Sequence, residues 1–161
     1  MSKSDQRHWL PLFVDFKGKR CLIVGGGGVA ARKAQRMLAA GAQLTVVAPK
    51  LGAAMAALIT NENSVHHCRK YQESDLDTHK LIVAATDDEA INSAIATAAR
   101  GRDIPVNVAA PGHLSTVTLP KVIDRAPVQI AISSGGASPT LMRQLNRYLE
   151  AMIPPDRKSV V

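Results

Sequence analysis

Residues 25–30 read Gly-Gly-Gly-Gly-Val-Ala, and the spacing Gly25-x-Gly27-x-x-Ala30 is one that handles phosphate. The first glycine allows a tight turn, the second lets the backbone approach a pyrophosphate, and Ala30 lets a helix pack close to a strand. The chemistry on offer is anion binding. Gly28 and Val29 open a helix whose free N–H groups and dipole face the ligand. A glycine-rich turn needs no ligand by itself, so its context decides. Residues 21–24, Cys-Leu-Ile-Val, form a short apolar run, and residues 29–34 begin a helical pattern. Strand, glycine turn and helix are the setting a dinucleotide site requires.

The elements that must hold this loop follow in order. Ala30, Ala34, Met37 and Leu38 recur at helical spacing, with Gly41 as a stop. Residues 44–48 read as a second strand, completing a βαβ unit. An acid that would hold the ribose is expected about 20 residues after the glycines. The chain has Ala48-Pro49-Lys50 instead, so ribose recognition falls to backbone groups. Lys50 either meets a 2′-phosphate or is solvated. Residues 51–59 suggest a short helix, and residues 65–71 a strand. Its adjacent His66 and His67 point to opposite faces and make a poor metal pair. Residues 80–85 form another buried strand. Thr86-Asp87-Asp88-Glu89 has capping-box spacing and opens a helix through Ile91, Ile95 and Ala98. Thr86 and Asp87 are either caps alone or lie beside a dinucleotide at the strand's carboxyl end.

Residues 104–109 give the next strand, and its exit loop, Ala110-Pro111-Gly112-His113, opens into the same crevice. The pattern then changes. Residues 115–119 and 128–132 alternate as strands with no long helix between them. Ser138-Pro139 starts a helix whose apolar stripe is Leu141, Leu145, Tyr148, Leu149 and Met152, with Pro154-Pro155 as its stop. The expected fold class is α/β, a Rossmann-like parallel sheet with helices on both faces, followed by a small β/α dimerisation segment. The expected boundary separates residues 1–113 from 114–161. The apolar segment 8–14 is expected to pack on a sheet edge.

Composition narrows the function. The chain has 161 residues and is 46% hydrophobic, which suits a globular domain. It has no apolar run near membrane-spanning length, and residues 1–8 do not resemble a leader, so a cytoplasmic protein without a membrane partner is expected. Two cysteines make no disulfide framework or metal spacing, and no metal site is expected. The net charge of +7 is scattered, with no nucleic-acid signature, which favours an acidic small molecule over nucleic acid.

The chain resembles the precorrin-2 dehydrogenase family, which also forms the amino-terminal module of siroheme synthases. The resemblance runs from about Leu10 to Met152. It rests on Leu10-Pro11-Leu12-Phe13, residues 21–27, Val29-Ala30-x-Arg32-Lys33, Ala84-Ala85-Thr86-Asp87-Asp88, Asn107-Val108, residues 123–127 and Ser133-Ser134-Gly135-Gly136-x-Ser138-Pro139. It implies NAD-dependent oxidation of precorrin-2 to sirohydrochlorin, in some members followed by ferrous iron insertion, and a homodimer. Pro49 and Lys50 match the stretch holding the nucleotide's far end. The resemblance places substrate contacts at Asn107, Ser115, Ser134, Gly135 and Gly136. Ser134 is also the position at which siroheme synthases suggest phosphorylation. The basic charge fits an octacarboxylate substrate, with Lys121 and Arg125 as possible clamps.

One departure concerns chemistry. Counting without gaps from Asn107 to Pro120, the family's aspartate position is Ala110. Hydride loss from the macrocycle is coupled to proton loss, and alanine accepts no proton. Either the acid has been lost, or another group substitutes, with His113 first in line. The alternative function is a non-catalytic protein that binds tetrapyrrole or dinucleotide, as carrier, sensor or inactive variant.

Overall fold

The computed structural model describes residues 9–60, 63–135 and 138–153. Residues 1–8, expected not to be a leader, Gly136 and the Pro154-Pro155 stop lie outside them. The chain divides into two compact units: Phe13–Val117, and Thr118–Val161 together with Met1–Leu12.

The larger unit runs β1 (Arg20–Val24), α1 (Gly28–Ala39), β2 (Gln43–Val47), α2 (Ala53–Leu58), β3 (Ser64–His67), β4 (Leu81–Ala84), α3 (Glu89–Arg100) and β5 (Val106–Val108). Its sheet has the order β3-β2-β1-β4-β5, with every pair parallel. The inner strands are short unbroken apolar runs because both faces are covered. Cys21, Ile23, Leu44, Val46 and Val83 face Ala30, Ala34 and Met37 of α1 and Met55 of α2. Leu22, Val24, Ile82, Val106 and Val108 face Ile95, Ala96 and Ala99 of α3. The alternation follows from successive strand side chains pointing to opposite faces. Small alanines on both helices allow close packing on the sheet. Cys21 is buried, which pushes its thiol up to about 12. The chain reverses its winding between β1 and β4, opening a crevice at the strands' carboxyl ends.

The smaller unit is a hairpin of β6 (Lys121–Arg125) and β7 (Val128–Ile132), with α4 (Pro139–Met152). Ser138 caps α4, accepting from the Leu141 N–H, and Pro139 takes the first helical position, as the sequence implied.

Several sequence expectations need correction. Residues 115–119 are not a strand; the pairing strand is Lys121–Arg125. The alternation there has another cause: Thr116 and Val117 donate backbone N–H groups back to Val106 O, at 2.8 and 3.2 Å. That attachment also moves the division of the chain to after Val117, rather than after His113. The third strand stops at His67, short of Tyr71. The cap of α3 is Asp88, which accepts from Ala90 and Ile91, rather than a Thr86–Glu89 box. Leu10, Leu12, Phe13 and Val14 are exposed, so the leading segment does not bury itself on a sheet edge.

Candidate functional site

The glycine loop is held from outside by backbone. Gly25 adopts φ +123°, and a Cβ there would stand 2.2 Å from Ala85 O. A Cβ at Gly26 would stand 2.1 Å from Lys50 O. Gly25 N–H donates to Val47 O at 3.0 Å, and Gly52 N–H donates to Gly26 O at 2.9 Å. The exits of β1, β2 and β4 are thus locked together. The next two glycines behave differently. A Cβ at Gly27 would meet nothing within 4 Å, and one at Gly28 would approach only an Arg32 nitrogen at 3.9 Å. Gly27 is the N-cap of α1, it has no side-chain cap bond, and no acid lies in the first turn. The helix start therefore presents unsatisfied N–H groups and positive potential to open space. Both features fit a bound pyrophosphate.

Beside this cradle, a buried amide organises the next two loops. Asn92 is fully buried on α3. Its Oδ1 accepts from the Thr86 N–H at 3.1 Å and from the Thr86 hydroxyl at 2.8 Å. Its Nδ2 donates to Thr86 O at 3.0 Å and to Ala110 O at 2.9 Å. One side chain thus ties the β4 exit, with Thr86 and exposed Asp87, to the β5 exit, with Ala110. Sequence reasoning missed it, because an asparagine within an alanine-rich helix looks like an ordinary polar position. The signal was its place one turn after the Thr86-Asp87-Asp88 cap.

Residues 12–121 match the family described as "Putative NAD(P)-binding". A siroheme synthase from Nitrosomonas eutropha is 44% identical over 91% of this chain, and one from Pseudomonas entomophila is 45% identical over 91%. The chain spans about a third of the length of these curated relatives, 31% and 32% respectively. The solved structure of SirC, a precorrin-2 dehydrogenase, superposes with a TM-score of 0.77 and 30% identity, covering 91% of this chain and 72% of that one. This chain belongs to the precorrin-2 dehydrogenase family. The Rossmann-like parallel sheet and the added antiparallel hairpin match that family's fold.

Within this precorrin-2 dehydrogenase fold the expected site residues fall into three groups. Gly25, Gly27, Gly28, Val29 and Thr86 lie around the crevice mouth formed by β1 and β4. Pro49 and Lys50 lie at the exit of β2, where the Lys50 carbonyl abuts Gly26. Beyond them, Cys68 donates its thiol to Pro49 O at 3.2 Å, and His66 Nε2 meets Ala48 O at 2.9 Å. His66 is thereby bonded to backbone, and His67 is exposed.

The second group sits on and after β5. Asn107 is 6% exposed, donates to Val117 O at 2.9 Å, and accepts from Lys33 Nζ at 2.5 Å. The Ser115 hydroxyl accepts from the Val108 N–H at 2.8 Å and is buried against β5. Both side chains are engaged in holding the segment after β5. Ala110 is exposed and contributes only its carbonyl to Asn92. His113 is exposed in the 3₁₀ turn Gly112–Leu114. The third group is in the smaller unit. Ser133 Oγ accepts from the Gly135 N–H, and Ser134 Oγ accepts from the Ser138 N–H at 3.3 Å, so both serines shape the loop. Gly135 has φ +61° and stands against the Trp9 indole.

Proposed function

We propose that this chain carries out the NAD⁺-dependent dehydrogenation of precorrin-2 to sirohydrochlorin. The observation that carries the reading is the uncapped, acid-free start of α1 behind Gly27, in a fold of this family. The reaction balances as precorrin-2 plus NAD⁺ giving sirohydrochlorin, NADH and a proton. The dinucleotide, when bound, supplies the hydride acceptor. The chain's own work is to hold its pyrophosphate on the N–H groups of Gly27, Gly28 and Val29. Asn92 fixes the Thr86 and Ala110 loops beside the crevice. Pro49 and Lys50 flank the far nucleotide, where no acid selects a ribose hydroxyl. NAD rather than NADP is the reading adopted from the resemblance.

The proton leaving the macrocycle needs an acceptor, and Ala110 offers none. His113 lies in the same loop, exposed, and is the residue assigned to that role. Ser134 and Gly135 are assigned to a substrate carboxylate from the smaller unit. Ferrous iron insertion, which the resemblance implies for some family members, is not part of this assignment, because it releases two pyrrole protons and Ala110 accepts none. A homodimer completes the reading, because α4 leaves Leu141, Leu145, Tyr148 and Met152 exposed in a single chain. Among the described residues no helix is long and apolar enough to cross a membrane.

The test is an anaerobic assay with precorrin-2 and NAD⁺ or NADP⁺, following reduced nucleotide and sirohydrochlorin. The chain and its Ala110→Asp and His113→Ala variants are compared. Turnover by the chain that His113→Ala lowers by about 10²-fold or more supports the assignment. The second reading, a binding protein without turnover, is favoured by Ala110 itself. Tight NAD⁺ binding without turnover, restored by Ala110→Asp, would establish it. Absence of both binding and turnover in every version sinks both.

A further inference from the structure

Lys33 is a cation placed where a solvated lysine would not be. It lies on the second turn of α1, just after the glycine loop, and is partly buried. Its side chain spans from α1 to the middle residue of β5, where Nζ donates to Asn107 Oδ1 at 2.5 Å. Asn107 is itself pinned by its second polar group on Val117 O, at 2.9 Å. The holder is therefore rigid. Along the strand, Asn107 precedes Ala110 by three residues, at most about 10 Å of extended chain. The ammonium thus lies over the α1 face of the sheet at β5, on the strand that leads into the Ala110 loop.

Its charge is not answered by any described residue. No described carboxylate lies within ion-pair distance of Lys33. Its neighbours on α1 are Arg32 and Arg36. Burial, then Arg36 and Arg32, hold its amine below the ordinary lysine value. An ammonium has three donors, and Asn107 takes one. A partly buried cation crowded by like charge and short of acceptors is costly unless an anion arrives.

We propose that Lys33, held by Asn107, is the cation that receives a carboxylate of the polycarboxylate macrocycle at the β5 end of the crevice. This rests on the substrate class argued above. Asn107 thereby acts as a positioning residue for the lysine, which explains why a residue expected to touch substrate is itself almost fully buried. Arg32, nearer Gly28, is left for the nucleotide side.

The probe is uroporphyrin, an octacarboxylate porphyrin, titrated by fluorescence with NAD⁺ present. Wild type, Lys33→Gln and Lys33→Arg are compared, with NAD⁺ affinity and thermal melting measured on each. The expected result is that Lys33→Gln weakens uroporphyrin binding about 10- to 100-fold, as for a lost charge-assisted contact. Lys33→Arg should recover most of it, and NAD⁺ affinity should hold in both. Uroporphyrin binding by Lys33→Gln equal to wild type overturns the inference while leaving the dehydrogenase reading intact. Equal losses for NAD⁺ and uroporphyrin overturn it too, by moving Lys33 to the dinucleotide. Wild type that binds NAD⁺ but not uroporphyrin overturns the substrate reading itself. If Lys33→Gln does not fold, reductive methylation of wild type decides. Protection of Lys33 by uroporphyrin and not by NAD⁺ supports the proposal, and unchanged modification overturns it.

Discussion

Residues 13–117 and residues 118–153 use apolar side chains in opposite ways. The larger unit encloses most of its own: two clusters, one on each face of the sheet, hold nearly the whole described core, while Phe13, Val14, Val29, Val65 and Ile91 stay exposed. After Val117 the only fully apolar side chain in that core is Ile123. The smaller unit instead displays Val122, Val128, Leu141, Leu145, Tyr148 and Met152. The α4 residues fall on one stripe at helical spacing. The difference teaches that damage to the first unit should be read as lost stability and, on the homodimer proposed above, damage to the second as lost association.

The largest effect should come from Gly26→Ala. The new Cβ would collide with the backbone oxygen of Lys50, a main-chain atom that cannot swing aside as a side-chain end could. A loss of about 4 kcal/mol or more is expected, seen as disappearance of the cooperative melt. Gly27→Ala is its control within the same loop. With nothing near its Cβ, it should melt like wild type while NAD⁺ affinity falls at least about 10-fold, through obstruction of the pyrophosphate. If Gly27→Ala binds NAD⁺ normally, the open half of the loop is not the phosphate site.

Asn92→Leu comes next. It strands the Thr86 N–H and the Thr86 and Ala110 carbonyls. About 2–3 kcal/mol is expected by urea unfolding, with a further loss of activity as the two exit loops separate. A stable Asn92→Leu variant with unchanged activity would show that the loops are held by something else.

In the smaller unit, Leu145→Glu should leave the unfolding free energy of a dilute monomer within about 0.5 kcal/mol of wild type. Light scattering should show the mass per particle dropping to that of one chain. A large stability loss with no change in mass would break the contrast between the units.

The smallest effect concerns pH. His79 is half-buried, with Nε2 at 3.1 Å from Thr45 Oγ1, and burial is the main cause holding its value below the ordinary 6.5. The folded state thus disfavours the charged form. The stabilising contribution is fully present above pH 6.5 and is lost as pH falls through the lower folded value. Urea midpoints at pH 7.5 and 5.5 should differ more in wild type than in His79→Gln.

The same contrast explains what was legible in the sequence. Where an element buries both faces, its composition announces it: residues 21–24 and 81–84 are unbroken apolar runs, and the glycines between strand and helix mark the cradle. Residues 115–119 misled because their alternation reflects attachment to β5 by hydrogen bonds, not a strand of a new sheet. Lys33 and Asn92 were illegible for a different reason. A lysine or asparagine on a helix is solvated by default, and only the neighbouring chain shows that each is turned inward onto another element. The leading segment 9–14 looked like core by composition, yet apolar residues exposed in one chain are not distinguished by sequence from those packed on a sheet.

The hydrogen bond from Gly52 to the carbonyl of Gly26 has a kinetic consequence. The glycine turn is braced against the start of α2 by main chain alone, so this turn itself need not fold around an arriving nucleotide. Stopped-flow traces should then show a single phase whose rate climbs linearly with NAD⁺ concentration, without the plateau that a slow ordering step would impose.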